Sequence, residues 1–242
     1  QYGAPDTLYI PMLHTWSLAV EEQFYILFPI FFIVIFKFFK RKIIIILFIL
    51  FLLSLFSAEF LSRNYPSISF YILLTRIFEI LAGSLIAYSQ IKYFYIGKNK
   101  ILNTIMPSIG LILIFFSIYF FDDKVFHPSI YTLIPILGVC LIIWYSSKAE
   151  YINKLLSSKI FVSLGLISYS LYLWHYPVFA FARKTEYIQG LPAKKLEIAI
   201  IIFILSVITY FFIEKPARNQ NFKFKIIFLP IFITSIFILI FS

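Results

Sequence analysis

An all-α, polytopic transmembrane helix bundle of about eight spans is the fold class predicted by this 242-residue sequence, and three observations predict it. Apolar residues make up 62% of the chain and charged residues 13%, which excludes a disordered tail and an ordinary water-soluble domain. Long apolar runs recur from residue 18 to the C-terminus, at the length a helix needs to cross a hydrocarbon core of about 30 Å. These runs lack the polar/apolar alternation and the roughly ten-residue period of barrel strands, so they read as helices.

In chain order the spans are 18–36, 43–61, 68–90, 104–121, 130–147, 160–182, 196–213 and 226–241. So much lipid-embedded chain leaves no room for a sizeable soluble domain, and any chemistry must sit between helices or in short loops. Lys37, Lys40, Arg41 and Lys42 follow the first span; Lys92, Lys98 and Lys100 the third; Lys148, Lys154 and Lys159 the fifth; Lys215, Arg218, Lys223 and Lys225 the seventh. The alternate loops carry Arg63, Lys124, Arg183, Lys184, Lys194 and Lys195. Fourteen against six predicts that the first set faces the cytoplasm and that the segment before residue 18 lies outside. The net charge of +10 is thereby an orientation signal, and nucleic acid is not expected as a partner. A single cysteine, Cys140, excludes an intrachain disulfide. The chain opens on Gln1 and its last run is short, so the sequence reads as a fragment of a longer protein.

Four stretches interrupt the apolar pattern. The first is Leu13-His14-Thr15-Trp16-Ser17-Leu18-Ala19-Val20-Glu21-Glu22-Gln23-Phe24-Tyr25, where Ser17, Glu21 and Tyr25 recur on one helix face. A structural reading makes Ser17 the helix cap and Glu21 and Glu22 partners of the helix dipole. A functional reading makes the buried carboxylate a proton-transfer or hydroxyl-binding group. In the third span Arg76 and Glu79 are spaced for an ion pair about 12 and 16 Å from its outer end, with Gly83 offering a close helix approach below. That pair either locks the span to a neighbour or holds substrate.

The sixth span aligns Gly165, Ser168, Tyr172 and His175 on one face, predicted to look into the bundle, with Pro177 expected to kink or end the helix. His175 could satisfy a carbonyl freed by that proline, or could shuttle a proton. Lastly, Glu214-Lys215-Pro216-Ala217-Arg218 places cations at the cytoplasmic face. They serve either as orientation charges or as ligands for the phosphates of a nucleotide-bearing donor. His14, His127 and His175 sit in separate segments without metal-ligand spacing, so no metal is expected.

Taken together, these stretches resemble the membrane-bound acyltransferase 3 family, which includes sugar and peptidoglycan O-acetyltransferases. The resemblance rests on Leu13 to Tyr25 with Pro29, on Arg76 to Gly83, on Ser163 to Pro177 and on Glu214 to Arg218, in that order. It implies that residues 1–225 are the C-terminal part of an acyltransferase membrane domain, with 226–242 an extra, truncated span. About three further spans, with the principal histidine in the first, are expected before Gln1.

The implied activity moves an acyl group, acetyl in the first instance, from cytoplasmic acyl-CoA to a hydroxyl of an extracytoplasmic or lipid-linked glycan across the plasma membrane. No permanently bound cofactor is implied. On this reading His14, Glu21, Tyr172 and His175 are catalytic candidates. Trp16, Glu22, Tyr25, Arg76, Glu79 and Ser168 are substrate-binding candidates, and Lys215 and Arg218 would meet the donor. The competing readings are a transporter or flippase using Arg76 and Glu79, for which internal repeats and broken helices would be the sign, and a non-catalytic membrane remnant.

Overall fold

The computed structural model describes residues 9–93, 100–122, 125–146, 151–185, 187 and 192–218. Among the described residues every regular element is helical and there is no strand. Helices α1 (Trp16–Phe39), α2 (Ile43–Asn64), α3 (Pro66–Tyr71), α4 (Ile77–Tyr93), α5 (Lys100–Phe120), α6 (Leu133–Tyr145) and α7 (Tyr151–Leu156) belong to one compact unit. Helices α8 (Lys159–Lys184), α9 (Pro192–Thr209) and α10 (Lys215–Ala217) form a second unit with the segment ending at His14.

Among the described residues, three stretches are long and apolar enough to cross a membrane: Leu13–Asn64, Ile101–Phe120 and Lys194–Ala217. The first holds two of the spans expected from sequence, α1 and α2, interrupted by a 3-10 turn at Lys40–Lys42. Of the other expected spans, α4 has 17 described residues, α6 is a shorter apolar helix, and α8 has the length, 26 residues, but carries the polar stripe. The run 226–241 lies outside the described residues. Large apolar side chains such as Ile33, Phe56 and Ile112 point outward, as they do where lipid is the solvent.

In the first unit the core is built on Phe24, Ile35, Ile43, Leu47 and Leu81, so α1, α2 and α4 share one apolar seam. The core face of α1 runs through Val20, Phe24 and Ile35. The cap of α1 is Thr15, whose side chain makes no capping bond, and Ser17 lies inside the helix, contrary to the expected Ser17 cap.

The expected third span is not one helix. It breaks between α3 and α4, where Ile72 is extended and Leu73–Thr75 forms a 3-10 turn. Polar side chains take over the main-chain groups released by the break. Thr75 Oγ1 donates to the carbonyls of Ser69 and Ile72 at 2.5 and 2.8 Å. Ser54 Oγ on α2 donates to Leu74 O at 2.6 Å and accepts from Phe78 N at 3.0 Å. A backbone break away from water needs such partners, because unpaired peptide groups are strongly unfavourable there.

Close helix approach also falls elsewhere than expected. A Cβ on Gly83 would meet nothing within 4 Å, whereas one on Gly110 of α5 would come within 2.5 Å of Gly138 O of α6, and the reverse within 2.6 Å. These two glycines let the paired helices cross at backbone contact.

In the second unit α8 packs along α9, and Pro177 stays within α8 rather than ending it. A π-helical turn at Tyr210–Glu214 follows α9.

Candidate functional site

The second unit gathers two of the three histidines. His14 sits in a 3-10 turn, Leu13–Thr15, and is buried. Its ring lies against one stretch of α8, with ring centroids 5.0 Å from Tyr172, 5.3 Å from His175 and 5.2 Å from Tyr176, the last in a stacked arrangement. The Tyr172 hydroxyl donates to His14 O at 2.5 Å. His175 thus meets the segment before the first span, as the sequence led us to expect.

The contact of the His175 ring selects which nitrogen carries hydrogen in its neutral form. Its Nδ1 lies 2.6 Å from Tyr172 O, and a carbonyl can only accept, so Nδ1 carries the hydrogen. In the neutral ring Nε2 is then the nitrogen with the lone pair, the arrangement a general base requires.

Ser168 does not join this group. It is exposed, and its hydroxyl donates locally to Gly165 O at 2.8 Å. The stripe is aligned as its spacing requires, but the His14 segment meets it at Tyr172 and His175, not a turn earlier. The buried hydroxyl of α8 is Ser170, which donates to Glu214 Oε2 at 2.8 Å. Glu214 is placed by the π-helical turn, and its other oxygen accepts from Arg218 Nη2 at 2.5 Å. Trp174 Nε1 donates to Thr209 Oγ1 at 2.8 Å and ties α8 to the end of α9. Lys215 lies over the Phe211 ring at 5.4 Å. Both cations expected to meet a donor therefore have partners close along the chain.

The first unit holds a separate cluster around Arg76. The expected ion pair is present, with Arg76 Nη1 3.3 Å from Glu79 Oε1, although Arg76 stands in the break rather than on the helix. Trp16 and Phe70 place their rings 5.1 and 4.8 Å from the guanidinium, within cation–π range. Trp16 also packs on Phe70 and Tyr71.

His127, for which the sequence suggested no role, brings Nε2 to 2.9 Å from Arg76 Nη1. Since the guanidinium only donates, this nitrogen accepts. Desolvation, and then the neighbouring Arg76 charge, push the His127 imidazole down to about 4. The residue keeps much of its surface exposed, so the Arg76 contact is the cause that geometry shows directly.

Glu21, Glu22 and Tyr25 are exposed on α1, which corrects the expectation of a buried carboxylate at Glu21. The face of α1 that carries Val20 and Phe24 takes the core and turns these three outward. The sequence reading also passed over Ser54 and Ser170. A hydroxyl inside an apolar run was the available signal for Ser54, shared with Ser57 three residues on; for Ser170 the more regular Ser168 stripe concealed it. Nothing local marks His127, which is 51 residues from Arg76.

The class of protein, that of an acyltransferase domain, comes from the comparison with known proteins. Residues 2–215 match the acyltransferase 3 family, described as an acyltransferase domain, and the chain belongs to that family. It is 29% identical over 235 residues to the peptidoglycan O-acetyltransferase OatA of Listeria monocytogenes, covering 91% of this chain and 37% of that protein. It is 30% identical over 237 residues to the putative peptidoglycan O-acetyltransferase YrhL of Bacillus subtilis, covering 92% and 36%. It is 33% identical over 235 residues to the O-acetyltransferase OatA of Staphylococcus aureus, covering 91% and 38%. The chain thus spans less than two fifths of the length of these relatives. No solved structure matches it.

Proposed function

We propose that this protein is a multi-pass O-acyltransferase of the plasma membrane that moves an acyl group, acetyl in the first instance, from cytoplasmic acyl-CoA to a hydroxyl of an extracytoplasmic glycan. The names of its relatives make peptidoglycan the first acceptor to test. The observation that carries this reading is the His14–Tyr172–His175 cluster with the His175 lone pair on Nε2.

In acyl transfer the acceptor O–H loses its proton as oxygen bonds the acyl carbon, and the bond from that carbon to the donor sulfur breaks. His175 Nε2 accepts that proton and gives it up again to the departing thiolate, which leaves as the free thiol. Tyr172 holds the His14 segment against α8 through its hydroxyl, which positions the two imidazoles. Lys215 and Arg218 are the cations that would meet the phosphates of the donor.

The test is transfer of radiolabelled acetyl from acetyl-CoA to peptidoglycan in membranes containing the protein. His175→Ala should lower the rate by about 10² or more at unchanged expression. Wild-type transfer rates in a well-expressed His175→Ala protein would refute the proton-accepting role, and no transfer by the wild-type protein to any glycan would refute the activity.

A further inference from the structure

The guanidinium of Arg76 is only half used by the protein that surrounds it. Its Nη1 serves both His127 Nε2, at 2.9 Å, and Glu79 Oε1, at 3.3 Å. Trp16 and Phe70 lie over the group at 5.1 and 4.8 Å. The remaining in-plane donors, Nε and Nη2, are shut off from solvent and meet no acceptor. A buried charged donor left without an acceptor is unfavourable, and proteins rarely keep one without a use. Glu79 could have taken this edge in a two-point approach, yet it touches Nη1 alone. Nε and Nη2 present two parallel N–H groups, the spacing that fits two oxygens on one carbon or phosphorus.

We propose that the Nε–Nη2 edge of Arg76 binds a two-oxygen anion, a carboxylate or a phosphate, carried by a reactant of the protein. This rests on the acyl-transfer reading only for the source of that anion: a carboxylate on the acceptor glycan, or a phosphate on the donor or on a lipid-linked saccharide. Trp16 and Phe70, whose rings lie against the guanidinium, are themselves only half-buried, so the packing that a ligand must open to reach the edge includes side chains near the surface.

The experiment measures calorimetric binding to the detergent-solubilised protein of three probes: N-acetylmuramic acid, its methyl ester and inorganic pyrophosphate. Binding of the acid at least tenfold tighter than the ester assigns a carboxylate; binding of pyrophosphate assigns a phosphate. Arg76→Lys, which keeps the charge and loses the fork, should weaken whichever anion binds by at least tenfold. If neither anion binds, if acid and ester bind alike without pyrophosphate, or if Arg76→Lys binds as wild type does, the proposal is overturned. Should Arg76→Lys fail to fold, Glu79→Gln replaces it: removing the adjacent negative charge should tighten anion binding at least threefold, and unchanged affinity overturns the proposal. Binding is read without turnover, so anion binding by a protein that transfers no acyl group would sink the transfer reading alone. Acyl transfer without anion binding would sink this one alone.

Discussion

Tyr172 donates its phenol hydroxyl to the main-chain carbonyl of His14, a bond that closes 158 residues of chain. It ties the turn carrying one histidine to the helix carrying another, and the two imidazoles stand 5.3 Å apart as a result.

Tyr172→Phe keeps the ring packing and removes that bond. Loss of that bond should lower stability by about 0.5–1.5 kcal/mol. It should show as a lower unfolding temperature in detergent, with acyl transfer reduced less than in His175→Ala. Unchanged stability and transfer would mean that the bond is dispensable for holding His14.

The break between α3 and α4 depends on one side chain of α2. Ser54→Ala orphans Leu74 O and Phe78 N together, so a loss of about 2–4 kcal/mol is expected, at roughly 1–2 kcal/mol for each group. Hydrogen exchange at Phe78 N should accelerate in the variant. Wild-type protection there would show that another group supports the break.

Gly110 and Gly83 make a matched pair of tests. Gly110→Ala drives a methyl group into the Gly138 carbonyl and should destabilise the α5–α6 pair by about 1–3 kcal/mol. Gly83→Ala meets nothing within 4 Å and should stabilise α4 by a few tenths to about 1 kcal/mol. Equal effects in thermal unfolding would contradict the packing described.

His127 predicts a pH dependence whose sign follows from its depressed value. The unfolded ring titrates near 6.5 and the folded one at about 4, so between these values the unfolded chain binds more protons. The contribution of His127 is therefore complete above 6.5 and is lost as pH falls toward 4. His127→Gln retains an acceptor for Arg76 and should flatten the stability profile across that window. A profile identical to wild type would show that the ring does not titrate against Arg76.

What the sequence determined by itself is local and solvent-driven. A chain this apolar satisfies its peptide groups inside lipid by forming helices, so the all-helical class follows from composition and run length. The Tyr172–His175 proximity follows from helical spacing, because residues three or four apart share a face, and the Arg76–Glu79 pair follows from closeness in the chain even though Arg76 stands just before its helix.

Tertiary structure decided which polar groups meet across long separations in the chain. It put His127 on Arg76, Ser170 rather than Ser168 on the half-buried Glu214 carboxylate, and Ser54 at a break in what reads as one continuous apolar span. It also turned Glu21 outward, because the buried face of α1 goes to Val20 and Phe24. Periodicity along one helix states which side chains lie together on a face. Which face is covered, and by which distant segment, depends on the packing of all the helices at once, and no spacing within a single run contains it.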